Sequence, residues 1–459
     1  MQRLDVAIVG AGFSGVLTAL NILETAGSDA RVHLIEQATR FGVGAAFSAR
    51  RPDHLLNVRA MNMSADPDQP DDFTQWLGRQ RQRPPEPFAF ASRAEYGAYI
   101  QDRLRRVVQS CAAANRLDLV QDAVVAIRER GPRFELDLAV GRRMQADAVV
   151  LATGNAPPAR NVLPDQSFAD DARYVGDPWT DGALDAIAPD APVLLLGSGL
   201  TMVDVMASLD ANGHEAPVVA LSRRGLRPHR HAPTQPLMAG WSRAPGEPLS
   251  ASLRRFRRDA GQPGDWRTTF DALRAETQTH WKTMTLVERR RVLRHLRPWW
   301  DIHRHRLAPA MADRLDGWLT GRLRIEAGRL ESLVTAGGEI EASWHPRGER
   351  ASKRLTVRHV INCTGPEGDP RESRSPLVRQ LLAAGLVRAD PLGLGMDTAE
   401  DGRLIGAGGA PHARLFAIGP AARGALWEVT AVPDIRVEAQ RLGRRLGRIR
   451  LPGEVDSAD

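Results

Sequence analysis

A strand, a glycine-rich turn and the start of a helix follow one another twice in this chain of 459 residues. The first occurrence is VAIVGAGFSG at residues 6–15, and the second is LLLGSGLTMVDV at residues 194–205. Such a turn lets the pyrophosphate of a dinucleotide approach the positive end of the helix that follows. Two turns of this kind predict an α/β fold with two Rossmann-like dinucleotide-binding domains.

The first turn carries Gly10, Gly12 and Gly15 in GxGxxG spacing, with Ser14 before the last glycine. The next apolar strand, RVHLIE, ends in Glu36. This is about 20 residues further on, where an acid accepts a hydrogen bond from a ribose hydroxyl. A lone GxGxxG is a weak signal, but the strand, turn, helix and acid together predict a cofactor site. The acid is compatible with either FAD or NAD.

Two later strands favour FAD at the first turn. The strand in DAVVLATG stops at Thr153 and Gly154, and the strand in HVINCTGP, at residues 359–366, also stops at a Thr-Gly pair. This form is typical of places where a chain leaves and re-enters a flavin domain. We therefore expect Thr153 and Gly154 to bind the flavin cofactor.

A third such segment lies near the end of the chain. The strand RLFAIGPAARG reaches a glycine turn at Gly419, and LWEVTAVPDIRVEAQRLGRRL after it predicts a helix. The amides at the start of that helix would point at the pyrimidine edge of a flavin. We assign Gly419, Trp427 and Thr430 to FAD binding.

The second turn matches the first less closely. Gly197 and Gly199 can admit a pyrophosphate, followed by Leu200 and Thr201, but Met202 occupies the third glycine position. A large residue there prevents the closest packing of the helix on the strand. The second turn still predicts a nucleotide site.

The strand that follows the second turn indicates which nucleotide it holds. PVVALSRRG ends in Ser222, Arg223 and Arg224 rather than in an acid. Paired guanidinium groups match the oxygens of a 2′-phosphate, whereas an acid would accept from a free ribose hydroxyl. The pattern favours NADPH over NADH. The alternative is that both arginines are solvated surface residues of an arginine-rich chain.

Flavin-type segments occupy both ends of the chain, so we expect the second nucleotide unit to be inserted in the first. Residues from about 249 to 322 lack strand-like alternation and predict a helical insert on the substrate side. The expected boundaries are 1–165 and 355–459 for the FAD-binding domain and 166–354 for the NADPH-binding domain.

Two segments of the insertion cluster histidine and arginine: RPHRHAP at residues 227–233 and WWDIHRHR at residues 299–306. Guanidinium groups bind carboxylates in bidentate fashion, and arginine repels a metal cation, so an anionic substrate is expected rather than a metal. The alternative is an exposed basic helix end. The substrate-binding candidates are Arg230, His231, Arg304, His305 and Arg306.

The whole chain resembles bacterial FAD/NAD(P)-binding proteins related to flavin-containing, class B monooxygenases. The resemblance is carried by GAGFSG, FGVGAAFS, HLLNVRAMNMS, GSGLTMVDV, SRRG, WDIHRHR and LWEVTAVPDIR, spread along nearly the full length. One departure is Gly419-Pro420, where the wider flavoprotein pattern has the Gly-Asp that binds the ribityl chain. That contact is expected to come from elsewhere.

The resemblance also implies a role for the segment HLLNVRAMNMSAD. In flavin monooxygenases such a segment can lie along the isoalloxazine, where the amide of Asn57 would hydrogen-bond near the reactive positions. Asn57 is therefore the catalytic candidate. The alternative is a structural turn held by Asn57, with Met61 and Met63 filling the core.

Composition removes several classes of protein. No apolar run approaches the ~18 residues of a membrane helix and the first strand starts almost at once, which predicts a cytoplasmic protein that does not bind membranes. The net charge of +7 rests on scattered arginines, since Lys282 and Lys353 are the only lysines, so no nucleic-acid site is expected. Cys111 and Cys363 form no CxxC pair, which argues against a disulfide reductase.

FAD and NADPH without a redox dithiol leave two enzyme classes. We favour a single-component monooxygenase that uses molecular oxygen and hydroxylates the nitrogen of a small, anionic substrate. The Baeyer-Villiger fingerprint is absent, so ketone oxygenation ranks lower. An NADPH-dependent flavin reductase or dehydrogenase, and a non-catalytic nucleotide sensor, remain alternatives.

Overall fold

The computed structural model describes residues 3–25, 30–48, 51–110, 115–160, 163–234, 240–261, 266–446 and 449. The chain divides into two units. The first unit comprises Met1–Arg50, Val58–Ala156 and Gly368–Asp459, and the second comprises Arg51–Asn57 and Pro157–Glu367. The second unit is thus contained within the sequence of the first.

A six-stranded sheet forms the centre of the first unit. Its order is β15-β16-β7-β1-β2-β3, and every neighbouring pair is parallel except β15 with β16. A separate antiparallel sheet has the order β4-β5-β6. The strands of this unit, numbered along the whole chain, are β1 Leu4–Val9, β2 Ala30–Glu36, β3 Leu117–Gln121, β4 Val124–Arg130, β5 Arg133–Leu138, β6 Arg143–Ala146, β7 Ala148–Leu151, β15 Arg403–Ile405 and β16 Pro411–Ala417.

Helices cover this sheet, and β7 is buried along its whole length because both faces of a parallel sheet are packed. The helix Phe13–Thr25 lies against Val432–Leu446, where Gly443 allows close approach to Asn21. The α-helices of the first unit are Phe13–Thr25, Gly44–Phe47, Asp72–Arg81, Arg93–Gln109, Pro376–Ala383 and Val432–Leu446, with 3-10 turns at Ala60–Asn62, Pro370–Glu372 and Gly419–Ala422.

A seven-stranded sheet forms the centre of the second unit, in the order β13-β12-β11-β10-β9-β14-β8. The strands from β11 to β8 run parallel, and β12 and β13 extend the sheet antiparallel. The strands are β8 Tyr174–Val175, β9 Val193–Leu196, β10 Val218–Ser222, β11 Leu323–Ala336, β12 Glu339–Pro346, β13 Lys353–Val357 and β14 His359–Asn362. β9 is fully buried.

Between β10 and β11, helices lie from Leu249 to Thr320, as predicted for residues 249–322. The helices of the second unit are Leu200–Ala211, Leu249–Ala260, Trp266–Ala275, Thr277–Thr283, Leu286–Arg291, Arg297–Arg304 and Pro309–Thr320, with a π-helical turn at Val292–Leu296 and a 3-10 turn at Ser167–Asp170. In the part of the chain that the structure describes, none of the helices is long and apolar enough to cross a membrane.

The architecture confirms the predicted α/β fold with two Rossmann-like units and a helical insert. Three details differ from the sequence expectation. His359–Asn362 pairs with β9 in the second unit, and the first unit resumes at Gly368 rather than near residue 355. The last helix begins at Val432 because Glu428, in the segment expected to be helical, has a left-handed φ of 70°.

Candidate dinucleotide-binding sites

The first glycine turn has no room for side chains at two of its three glycines. A Cβ added to Gly10, whose φ is 102°, would lie 2.4 Å from the carbonyl oxygen of Ala152. A Cβ on Gly15 would lie 1.9 Å from the carbonyl oxygen of Gly10. β1, the helix after it and the end of β7 therefore meet with their backbones in direct contact.

The middle glycine of this turn faces another glycine. Gly12 packs against Gly44, since a Cβ on Gly12 would lie 3.4 Å from the Cα of Gly44. The backbone N–H of Gly42 donates to the carbonyl oxygen of Ala11 at 2.7 Å, which holds this loop on the turn. The FGVGAAF segment thus forms one wall of the first turn.

Glu36 lies at the end of β2, where the sequence predicts it. Its Oε2 accepts from the backbone N–H of Ala11 at 2.8 Å, and its Oε1 accepts from that of Ala38 at 3.1 Å. Each carboxylate oxygen keeps a second lone pair, so the side chain can hold the glycine loop and still accept from a ribose hydroxyl.

The other cofactor candidates of the first unit lie on three separate loops. Thr153 is exposed after β7, and nothing lies within 4 Å of a Cβ placed on Gly154. Gly419 contacts Ser14, since a Cβ on Gly419 would lie 2.5 Å from the Ser14 Oγ. There is thus space beside Gly154, and the loop at Gly419 lies against the glycine turn at Ser14.

The remaining two candidates, Trp427 and Thr430, lie before the last helix. Trp427 is buried, with the guanidinium of Arg423 over its ring at 5.1 Å, and Thr430 is half-buried. Trp427 is therefore a packed side chain that shapes the loop rather than an exposed stacking surface.

The second glycine turn repeats the backbone geometry of the first. A Cβ on Gly197, whose φ is 120°, would lie 2.5 Å from the carbonyl oxygen of Cys363, as one on Gly10 would meet Ala152. The N–H of Gly197 donates to Leu221 at 2.8 Å, and the N–H of Gly10 donates to Ile35 at the same distance. The two nucleotide turns are the same construction.

This repeat explains the second Thr-Gly pair. The N–H of Cys363 donates to the carbonyl oxygen of Leu196 at 2.9 Å, as the N–H of Ala152 donates to that of Val9 at 2.9 Å. Thr364 and Gly365 therefore stand beside the second glycine turn and not at a re-entry into the first unit. Cys363 is buried, and burial raises the pKa of its thiol, while Cys111 lies outside the described residues.

Beyond Gly197 the second turn opens. No atom lies within 4 Å of a Cβ placed on Gly199, and Leu200 and Thr201 begin the helix Leu200–Ala211 directly after it. Met202 is fully buried in the third glycine position. The turn therefore accommodates a large side chain where the first turn accommodates none.

The end of β10 in the second unit differs most from the corresponding position in the first unit, the end of β2. The Ser222 Oγ and the Ser198 Oγ are 2.7 Å apart, and the Ser222 Oγ also accepts from the N–H of Gly225 at 3.0 Å. A pair of hydroxyl groups thus stands where the first unit has the Glu36 carboxylate. No negative charge at this position opposes a 2′-phosphate.

Arg223 and Arg224 follow at once. Arg223 is exposed and Arg224 is half-buried, and neither side chain has an ion-pair or hydrogen-bond partner within the described ranges. Several other arginines of the second unit are ion-paired, as Arg314 is with Asp210 at 2.8 Å. These two guanidinium groups are available to an anionic ligand.

Asn57 ends a short segment whose place in the second unit was not predicted from the sequence. Residues 51–57 join the second unit although their neighbours on both sides belong to the first. The buried His54 bonds the Ser208 Oγ through Nε2 at 2.9 Å, and His231 bonds the carbonyl oxygen of Asn57 through Nε2 at 2.9 Å. The structure thus brings the catalytic candidate Asn57 and the substrate candidate His231 together.

The two His-Arg segments, separate in sequence, are adjacent. The N–H of His231 donates to Leu307 at 2.9 Å and the N–H of Leu307 donates to His229 at 2.8 Å. The N–H of His229 also donates to Ile302 at 3.2 Å. The sequence expectation that both segments contribute to one site is consistent with this pairing.

Individual candidates in these segments differ in availability. Arg230 forms a bidentate pair with Asp313. Arg306 is buried and pairs with Asp271. Their charges are compensated within the fold, so neither presents a free guanidinium. Arg304 and His305 are half-buried at the end of the helix Arg297–Arg304.

Sequence reasoning missed the side chains that meet where the segments join. His229 and His303 have ring centroids 4.6 Å apart, and Trp266 packs on His303 at 4.7 Å. Burial, and then the neighbouring His303, lower the pKa of His229 to about 4, and burial lowers the pKa of His303. The sequence His-Arg-His was visible in both segments, but only the fold shows which histidines face each other.

These features define a protein with two dinucleotide-binding units. Residues 7–156 match a sequence family described as FAD-NAD(P)-binding. An L-aspartate N-monooxygenase (nitrosuccinate-forming) from Streptomyces cremeus is 34% identical over 163 residues, which are 33% of this chain and 24% of that protein. The match therefore spans about a quarter of the length of this curated relative.

Two solved structures are similar over 97% of this chain and 99% of theirs. One is an ornithine N-hydroxylase from Kutzneria sp. 744 with reduced FAD, NADP⁺ and L-ornithine (TM-score 0.65, 13% identity). The other is L-lysine 6-monooxygenase from Pseudomonas syringae (TM-score 0.64, 16% identity). This chain carries a FAD/NAD(P)-binding domain and shares its fold with flavin N-hydroxylating monooxygenases, which confirms the predicted resemblance and cofactor class.

Proposed function

We propose that the protein is a FAD-dependent, NADPH-using monooxygenase that hydroxylates the nitrogen of a small amino acid with an additional carboxylate. The observation that carries this proposal is the repeat of one glycine-turn construction in two units, with Glu36 in the first and Ser222, Arg223 and Arg224 in the second. A carboxylate suits a ribose hydroxyl, and paired guanidinium groups suit a 2′-phosphate.

The first turn fits FAD. Gly10, Gly12 and Gly15 leave backbone in place of side chains at the start of a 13-residue helix, whose positive end attracts a pyrophosphate. Glu36 keeps lone pairs for the ribose, and Gly154 leaves space after β7. When bound, FAD accepts electrons from NADPH and passes them to oxygen.

The second turn fits NADPH. Gly199 borders open space at the start of the helix Leu200–Ala211, where the pyrophosphate would lie. Arg223 and Arg224 would hold the 2′-phosphate through charge-assisted hydrogen bonds. The hydroxyl pair of Ser198 and Ser222 leaves the end of β10 without a negative charge that would repel it.

An acidic amino acid is the substrate that the relatives and the charges favour together. The curated relative is named for L-aspartate, and the two structural neighbours for ornithine and lysine. All are amino acids with a nucleophilic amine, and the His-Arg segments of this chain suit a substrate with extra negative charge. Asn57 is proposed to hydrogen-bond near the reacting atoms, with its backbone held by His231.

The test is NADPH oxidation by the FAD-loaded protein, stimulated by small amino acids and organic acids. We expect L-aspartate or a similar acidic amino acid to accelerate it, with matching oxygen uptake and a product carrying oxygen on nitrogen. Electron transfer to an acceptor without an oxygenated product would indicate a reductase. Stable FAD binding with no anaerobic reduction by NADPH would indicate a nucleotide sensor. Turnover of neutral hydrophobic compounds alone would contradict the acidic-substrate proposal.

A further inference from the structure

Two histidines and two aromatic rings form a compact cluster where the His-Arg segments join. His303 lies 4.6 Å from His229, 4.7 Å from Trp266 and 5.2 Å from Phe270, between ring centroids. The Phe270 ring is stacked on His303 with an interplanar angle of 13°, and Trp266 meets it edge-on at 77°. We call these four residues the imidazole cluster.

The backbone holds this cluster in place. His229 is bound on both sides, through its N–H to Ile302 at 3.2 Å and through its carbonyl oxygen to the N–H of Leu307 at 2.8 Å. The Nδ1 of His303 bonds the carbonyl oxygen of Trp299 at 2.7 Å, so Nδ1 carries the hydrogen. The Nε2 of His303 is therefore an acceptor when the ring is neutral and becomes a donor when the ring is protonated.

The surroundings of the cluster are positively charged. After burial and the neighbouring His303 imidazole, three guanidinium groups lower the pKa of His229, those of Arg267, Arg227 and Arg306. Arg306 and Arg267 act on His303 in the same direction. Among the described residues, Asp271 is paired with Arg306, and Asp316 is paired with Arg227 at 2.9 Å. A ligand with negative charge would be attracted to this point.

Arg267 is placed to take part. Its guanidinium donates to the carbonyl oxygen of Arg230 at 3.0 and 2.9 Å and lies over the Trp266 ring at 4.5 Å. Stacking on an indole and bonding to a backbone carbonyl fix the plane of the guanidinium. The side chain is thereby held rigid beside the imidazole cluster.

We infer that the imidazole cluster and Arg267 form a carboxylate-binding site, and that His229 or His303 gains a proton when the carboxylate binds. The site rests on the proposed function, since it assigns the side-chain carboxylate of the acidic amino-acid substrate to these residues. Protonated imidazoles and a rigid guanidinium supply charge-assisted hydrogen bonds that neutral imidazoles do not.

The pH dependence follows from the direction of the change. In the free protein both histidines are neutral at pH 7, because burial lowers the pKa of each and nearby arginines lower it further. At His303 the bond to the Trp299 carbonyl oxygen acts on the pKa in the opposite direction without outweighing burial. A bound carboxylate raises the pKa, so binding takes up a proton wherever the pH lies between the free and bound values. Affinity for the carboxylate should therefore weaken as the pH rises through this range.

The first experiment measures L-aspartate binding to the FAD-loaded protein by calorimetry in two buffers that differ in ionisation enthalpy. We expect net proton uptake and a Kd that rises by about threefold or more between about pH 6 and pH 8. L-Asparagine, which has an amide in place of the carboxylate, should bind more weakly and without proton uptake. Aspartate binding with no proton uptake at any pH in this range would overturn the proposal.

The second experiment compares variants. The double change His229→Asn and His303→Asn should raise the Kd for L-aspartate by about tenfold or more and abolish its pH dependence, while the FAD content and the Kd for NADPH stay unchanged. The matched control is His345→Asn, an exposed histidine on β12 of the same unit. Arg267→Gln should weaken aspartate similarly, against Arg290→Gln as an exposed control in the helical insert.

The outcomes separate this inference from the proposed function. If the variants lose NADPH affinity and keep aspartate affinity, the imidazole cluster binds a phosphate of the coenzyme and the inference is wrong. If the protein oxygenates amino acids but the variants are unaffected, the inference fails and the function stands. If aspartate binds with proton uptake but no oxygenated product forms, the site stands and the function fails.

Discussion

The two glycine turns share a backbone and differ in the side chains around it. In each turn the first glycine packs on the carbonyl oxygen before a Thr-Gly pair and bonds the end of the next strand. The first turn then has Gly15 and Glu36, where the second has Met202 and Ser222. One scaffold for a pyrophosphate is thus used twice, and a few side chains at its edge select the nucleotide.

The differences also set how much change each turn tolerates. Gly15 touches the carbonyl oxygen of Gly10, whereas Met202 is buried at the corresponding position without closing the second turn. The helix after the second turn must therefore leave more room beside its strand. We expect the first turn to be the more sensitive to substitution.

The largest effect should come from making the first turn resemble the second. Gly15→Met would place a Cβ 1.9 Å from the Gly10 carbonyl oxygen, a distance that only a backbone shift can relieve. We expect a loss of about 3 kcal/mol or more in stability and almost no bound FAD, measured by flavin absorbance and thermal unfolding. Met202→Leu, the control in the second turn, should keep its FAD. A stable, yellow Gly15→Met protein would show that the two turns are equally tolerant.

Arg223→Ala together with Arg224→Ala tests the coenzyme assigned to the second turn. Charge-assisted hydrogen bonds contribute roughly 1.5–3 kcal/mol, so losing one arginine should weaken NADPH roughly tenfold to hundredfold and losing both should weaken it further. NADH should change little, because it lacks the 2′-phosphate. Arg350→Ala, an exposed arginine of the same unit, is the control. Equal losses for NADH and NADPH would mean that these arginines do not read the phosphate.

Ser222→Asp places a carboxylate at the end of β10, as Glu36 does at the end of β2 in the first unit. A carboxylate there repels a 2′-phosphate and accepts from a free ribose hydroxyl, so NADPH should weaken about tenfold while NADH is retained or improved. The ratio of the two Kd values, measured by coenzyme titration, is the readout. Ser222→Ala separates loss of the bonds to Ser198 and Gly225 from the added charge. If both variants bind NADPH equally well, the end of β10 does not face the ribose.

The smallest expected effect is a loss of folding stability at acidic pH. Burial lowers the pKa of His33 in the first unit, and it lowers the pKa of His214, His229, His303 and His359 in the second. Each side chain binds a proton more readily when unfolded, so stability is lost as the pH falls below the ordinary value of 6.5.

Between about pH 7 and pH 5.5 we therefore expect the second unit to lose a few degrees more in Tm than the first. FAD release reports on the first unit, and calorimetry records both transitions. His214→Gln together with His359→Gln should reduce the difference. Equal shifts of the two transitions at low pH would contradict the unequal histidine burial.

Much of the scaffold was predictable from short stretches. The strand, turn and helix at residues 6–15 and 194–205 and the helical insert follow from patterns within a few tens of residues. The insertion of one unit in the other was inferred from segments at both ends of the chain, and one of these, at residues 359–366, belongs to the second unit. The left-handed φ of 70° at Glu428, which delays the last helix to Val432, was not predictable because its apolar neighbours also suit a helix. The grouping of residues 51–57 with the second unit depends on His54 and Ser208, far apart in sequence.

The sequence by itself determined the two nucleotide turns, because glycine is the only residue that tolerates a φ of 102° or 120° with a carbonyl oxygen at van der Waals contact. Tertiary structure decided which charges remain available. Arg306 forms an ion pair with Asp271, and Arg230 forms one with Asp313. Arg223 and Arg224 form no ion pair with the described residues. Local backbone constraints are written in adjacent residues, whereas charge compensation depends on which distant carboxylate the fold brings within reach.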